Sequence, residues 1–234
     1  MTPIWADHLY VVGILLLVMP IVGTIAYRRF LARRERIGGR ALVIEYRTTL
    51  LWQVALAGLP LLIWWITARP LAALFATRPV TSDGGDFAMA LAIGAGIGLA
   101  ARPLLALVPP IGRTFARQMT KLAPFLPRTV EQLCWGLAVS LAAGLCEEIA
   151  YRGYLMAYLG HWLPWGWQIA GTAAIFGIAH AYQGKTGVMM TSVVGAGLGA
   201  LYVVGGSLWP AIALHAALDV SVMLTAFIVL RETA

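Results

Sequence analysis

Glu147, Glu148 and Arg152 fall within six residues of a stretch that is otherwise apolar, with Leu145 and Cys146 before them and Ile149, Ala150 and Tyr151 between. An ionisable side chain at membrane depth costs roughly 2.5 to 3.5 kcal/mol on insertion scales, so three together need partners or a purpose. Glu148 and Arg152 stand four apart on one helical face, in the order that favours an ion pair. Glu147 is rotated about 100° from Glu148 and is left without that partner, which makes it the acid free for chemistry. An unpaired acid can serve as a general base, as a metal ligand or as an ion-binding group, so the chemistry on offer depends on what meets it.

Two more pairs share the four-residue spacing: Phe176 with His180, and His215 with Asp219. Such pairs lie on one side of a helix. Of the ten acidic residues, only Glu147, Glu148 and Asp219 fall in the interior of the spans drawn below, with Glu131 in the first turn of one. The midpoint between Glu147 and His180 lies in the turn Gly160–Trp167, so an antiparallel hairpin brings both to one depth, where they can share a water. His215 fits less well. It stands about eight residues into its helix against about fifteen for His180, a mismatch of roughly 10 Å that tilt or a deeper helix start must absorb.

The elements that carry these residues are membrane helices. The chain has 234 residues, 60% hydrophobic and 12% charged, with a mean hydropathy of +0.81, far from soluble averages. An all-α bundle of seven or eight transmembrane helices is expected, with spans near 9–27, 48–68, 87–108, 128–159, 167–182, 188–204 and 207–230. The net charge of +7 does not point to nucleic acid, because thirteen of the 17 Lys and Arg cluster in alternate loops between spans. That asymmetry places those loops in the cytoplasm, the N-terminus outside and the C-terminus inside. The first arginines follow the first apolar run, which fits a signal anchor better than a cleaved signal peptide.

Arg113, Arg117 and Lys121 recur every four residues opposite Ile111, Phe115, Met119 and Leu122, the pattern of an amphipathic helix on the cytoplasmic surface. Two strings, Gly94-Ala95-Gly96-Ile97-Gly98 and Gly195-Ala196-Gly197-Leu198-Gly199, lie in mid-span and read as helix-packing surfaces, not nucleotide loops. Cys134 and Cys146 have no CxxC spacing and read as small packing residues. The whole chain, 1–234, forms one integral membrane domain, with N-terminal spans and the interfacial helix over 1–127 and the site-bearing core over 128–230.

The trio Glu147-Glu148-x-x-x-Arg152, Phe176-x-x-x-His180 and His215-x-x-x-Asp219 resembles the CPBP family, the CAAX endopeptidases and Abi-type intramembrane glutamic proteases. The resemblance covers about residues 130–222, in the family's order and on separate helices. It implies peptide hydrolysis by activated water with no acyl-enzyme and no cofactor or metal. Glu147 would be the general base and His180 its partner in holding the water. His215 and Asp219 would stabilise the oxyanion, and donors prearranged there are worth about 3 to 4 kcal/mol each. Glu148, Arg152 and Phe176 would orient the site. An ionised aspartate cannot donate to an oxyanion, so Asp219 is either protonated or pairs with His215 and holds it as a charged donor.

Three other chemistries remain open on the residues alone. Glu147, His180, His215 and Asp219 are acceptable zinc ligands for a metal-dependent membrane hydrolase, although no HExxH pair occurs. A cysteine mechanism through Cys146 needs a thiolate in an apolar span, which burial opposes. A non-catalytic transporter or scaffold also places polar pairs at the midplane. The resemblance implies a peptide or protein substrate, lipidated or membrane-associated, amid membrane lipids, and in a bacterium the plasma membrane.

Overall fold

A computed structural model describes residues 2–77, 82–119 and 123–231. Among the described residues, six helices are long and apolar enough to cross a membrane: α1 Trp5–Ile37, α2 Arg40–Ile66, α3 Gly84–Leu105, α5 Val130–Leu159, α7 Ala181–Gly205 and α8 Trp209–Leu230. Between them lie α4 Pro109–Gln118 and α6 Trp165–Ala179. The fifth expected span is thus α6, whose 15 residues reach about 22 Å, short of a hydrocarbon core of about 30 Å. Pro164 precedes it, and its last carbonyls are met by the turn at His180.

The first two helices depart from the expected boundaries. Arg28 to Arg36 continue α1, and α2 starts at Arg40, so the expected long basic loop is a turn at Gly38 and Gly39. Arginine is a good helix former, and a helix does not stop where the membrane does. Gly38, at φ +59°, takes the left-handed turn. This shift brings Glu45 into a spanning helix, with a side chain 15% exposed. Asp7, fully buried, likewise belongs to α1, so buried acids of the long helices extend beyond the three singled out from the sequence.

α4 carries Arg113 and Arg117 on its exposed side, while Met119 just beyond it is buried against Ala226 of α8. Part of its apolar side is therefore covered by protein. Lys121, Leu122 and Arg78 lie outside the described residues.

α5 is the centre of the bundle. Its residues Ala150, Tyr151, Tyr154, Leu155 and Tyr158 join Tyr10 and Leu15 of α1, Leu56 and Trp64 of α2, and Phe176 of α6 in the largest apolar cluster. Close contact with α8 depends on Gly144, where a Cβ would fall 2.7 Å from the Ala216 backbone nitrogen; small residues allow this approach between membrane helices. At the outset of α1, Asp7 accepts from both Arg69 terminal nitrogens at 2.8 and 2.7 Å and from the Tyr154 hydroxyl, tying α1, the end of α2 and α5 together. Of the two glycine strings, only the second packs as expected. Gly195 meets Phe176 and Arg152, and Gly199 meets Ile169, whereas Gly94, Gly96 and Gly98 face open space. Cys134 is exposed and Cys146 buried, so the packing role fits only the second.

Candidate active site

The acids stand where α5 changes its winding. Val130 to Glu148 is α-helical, and Ile149–Leu155 continues as a π-helical segment with all seven residues buried. Such widened turns recur at functional sites because they redirect side chains without ending the helix. Despite the change, Arg152 donates to Glu148 Oε1 at 2.5 Å. Both side chains are fully buried, so the pair exists only by compensating charge.

Arg152 does more than neutralise Glu148. Its second terminal nitrogen donates to the Gly195 carbonyl of α7 at 3.0 Å, and its guanidinium stacks 4.5 Å over the Phe176 ring of α6. A Cβ on Gly195 would stand 3.1 Å from the arginine and 3.0 Å from the ring, which gives that glycine a specific duty. Phe176 therefore positions a cation, and Arg152 joins α5, α6 and α7.

His215 sits on the other side of Glu148. Its Nδ1 donates to Glu148 Oε1 at 2.7 Å, while Nε2 stands 4.0 Å from Glu147 Oε2 and 3.8 Å from Asp219 Oδ2. Each ring nitrogen thus has a carboxylate to donate towards. The expected offset between the two histidines is filled by Phe176, whose ring centroid lies 4.8 Å from that of His180 and 6.0 Å from that of His215.

Glu147 is not without a partner, contrary to the expectation from spacing. Gln53 of α2 donates to its Oε1 at 2.6 Å. A neutral amide in mid-span carries no charge anomaly and no helical repeat; its signal is only that a polar side chain in a span needs a polar partner.

Glu147 and His180 line one cavity of about 170 Å³, together with Gln53, Tyr151, Glu45 and Tyr182 among others. His180 is the residue after α6, and its Nδ1 lies 2.8 Å from the Phe176 carbonyl. A carbonyl only accepts, so Nδ1 is the donor there, and in the neutral ring Nε2 keeps its lone pair. The same bond satisfies a carbonyl of the last helical turn. Tyr151, four residues beyond Glu147, is 1% exposed, and its hydroxyl has no hydrogen-bond partner among the described residues. His215 and Asp219 do not line the cavity; they stand behind Glu147. Among the described residues no three His, Cys, Asp or Glu side chains are grouped to hold a metal ion.

These observations define a polytopic helical membrane protein with a buried acid, arginine and histidine cluster beside a cavity. Within that class, residues 129–221 match the family described as type II CAAX prenyl endopeptidase Rce1-like. The matched stretch runs from the N-cap of α5 to just past Asp219 and contains Glu147, Glu148, Arg152, Phe176, His180, His215 and Asp219. The match supports a membrane endopeptidase of the CAAX protease family. Comparison with curated proteins and with solved structures gives no match.

Proposed function

We propose that the chain is an intramembrane endopeptidase in which Glu147 activates a water for attack on a peptide carbonyl. The observation that carries this reading is that Glu147 and His180, from different helices, face the same cavity. A water that gives one hydrogen to Glu147 and the other to His180 Nε2 turns an oxygen lone pair towards a substrate carbonyl in that cavity. Glu147 takes the proton as the carbon–oxygen bond forms. The resulting oxyanion is met by the hydroxyl of Tyr151, a residue of the cavity wall, whereas His215, behind Glu147, acts on the reaction through the acids it pairs with and not as the oxyanion donor that the resemblance implies. Glu147 then returns the proton to the amide nitrogen as the carbon–nitrogen bond breaks, releasing a carboxylic acid and an amine; the acid's remaining proton passes to the amine, leaving a carboxylate and an ammonium. Gln53, and the Glu148, Arg152 and His215 network, hold Glu147 in place; Asp219 orients His215.

The substrate in this reading is a peptide or protein at the membrane. The cavity reaches Tyr27 and Glu45, near the arginine-rich ends of α1 and α2, which charge asymmetry puts on the cytoplasmic side, with the N-terminus outside and the C-terminus inside.

Glu147→Gln is the decisive variant because it is nearly isosteric and keeps a group for Gln53 to meet. Membrane peptides from cells carrying either form are compared by mass spectrometry. The expected result is a set of products present only with the intact acid, insensitive to strong chelator and to thiol alkylation. Identical peptide sets overturn the proposal, and loss with chelator followed by rescue with zinc transfers the assignment to a metal hydrolase.

A further inference from the structure

Two acids line the cavity, Glu147 and Glu45. On α2, Glu45, Thr49, Trp52, Gln53 and Leu56 form one wall of it, spaced as one face of a helix. Gln53 fixes the Glu147 end by its 2.6 Å bond. Glu45 stands eight residues earlier, about 12 Å along the helix axis. An extended peptide advances about 3.3 Å per residue, so this interval corresponds to three or four residues. Between the two acids the wall is aromatic and aliphatic, with Tyr27, Trp52, Phe125 and Tyr182. Among the described residues that line the cavity there is no lysine or arginine. A low-dielectric cleft with charge of one sign concentrates ligands of the other and rejects its own.

Glu45 has a neighbour, Arg33 of α1, but at 3.7 Å the contact is longer than a charge-assisted hydrogen bond. The arginine side chain is 34% exposed and that of Glu45 15%, so the acid faces the cavity while its partner reaches towards solvent. The carboxylate retains accepting capacity for a second cation.

We infer that Glu45 is a specificity subsite that takes a lysine or arginine side chain three or four residues from the bond being cut, always on the same side. This rests on the endopeptidase reading of Glu147 and adds the substrate class to it. Arg33 competes with the incoming cation for the same oxygen atoms, which holds the subsite neutralised when no peptide is bound.

The test uses the purified full chain in detergent micelles with pools of short synthetic peptides that carry lysine, glutamine or glutamate at each position in turn, with products mapped by mass spectrometry. Wild-type products are expected to show lysine three or four residues to one side of the cut, and glutamate excluded there. Glu45→Gln is expected to abolish the preference, through a KM for the basic peptides raised on the order of tenfold with kcat little changed. Arg33→Gln is expected to lower that KM. A wild type without charge preference, or a preference intact in Glu45→Gln, overturns the subsite while leaving the peptidase. If Glu45→Gln does not fold, a raised KM in Arg33→Gln refutes the competition and the subsite with it. A wild type that cuts nothing, or Glu147→Gln that cuts equally, overturns the underlying activity instead.

Discussion

Replacing Tyr151 with phenylalanine separates catalysis from stability with one oxygen atom. The side chain is 1% exposed, its ring meets Phe176 edge-on with centroids 5.0 Å apart, and its hydroxyl has no hydrogen-bond partner among the described residues. A buried polar group left unpaired costs about 1 to 3 kcal/mol. Phenylalanine keeps the ring contact and removes that penalty, so the variant is expected to be as stable as the wild type or more so. If the same hydroxyl donates to the oxyanion, its loss removes a contact worth about 2.7 to 4 kcal/mol in the transition state. Turnover is then expected to fall on the order of a hundredfold to a thousandfold, with KM little changed. The assay is cleavage of a mapped substrate by full-length protein in detergent, paired with thermal unfolding of the same preparation. Turnover within about twofold of wild type, beyond the reach of any catalytic hydrogen bond, refutes the assignment; lower stability together with lower turnover refutes the claim that the hydroxyl is unpaired.

Two other substitutions probe the surroundings. Gln53→Met keeps volume and removes the donor to Glu147; a hydrogen bond to a charged group contributes about 1.5 to 3 kcal/mol, so kcat is expected to drop roughly tenfold to a hundredfold, measured on the peptide that wild type cuts best. Arg152→Met leaves Glu148 buried without its cation, and breaking such a pair costs about 3 to 5 kcal/mol; folded yield by size-exclusion profile is expected to collapse, and to recover when Glu148→Gln is added.

The charged part of the site was legible from the chain alone because charge is rare there. Glu147, Glu148 and Arg152 stand out against apolar neighbours, and the spacing of Glu148 to Arg152 survives as a real contact. His180 and His215 were likewise visible as ionisable groups in spans. What stayed hidden is neutral or depends on depth. Gln53 and the Tyr151 hydroxyl carry no charge. Glu45 was missed because the second helix was started at Thr48, where hydropathy begins, whereas the helix itself starts at Arg40. The mismatch between the histidines follows from counting residues into each helix, and the Phe176 ring lies between them across that offset. The shortness of α6 was also invisible, since its apolar character runs on through Ala181 and Tyr182 while its backbone turns at His180.

Arg152 has a mechanical consequence. Its guanidinium fastens three helices at one point, through an acid, a carbonyl and a ring, so that the half of the molecule holding the reactive groups behaves as a stator. The facing wall is lined by Met19, Val22, Gly23 and Ala26 of α1, small or apolar side chains with no comparable fastening, although Asp7 still ties the start of that helix to Arg69 and Tyr154. Strain reaching the cavity is therefore absorbed on the α1 side before it reaches the acids of α5.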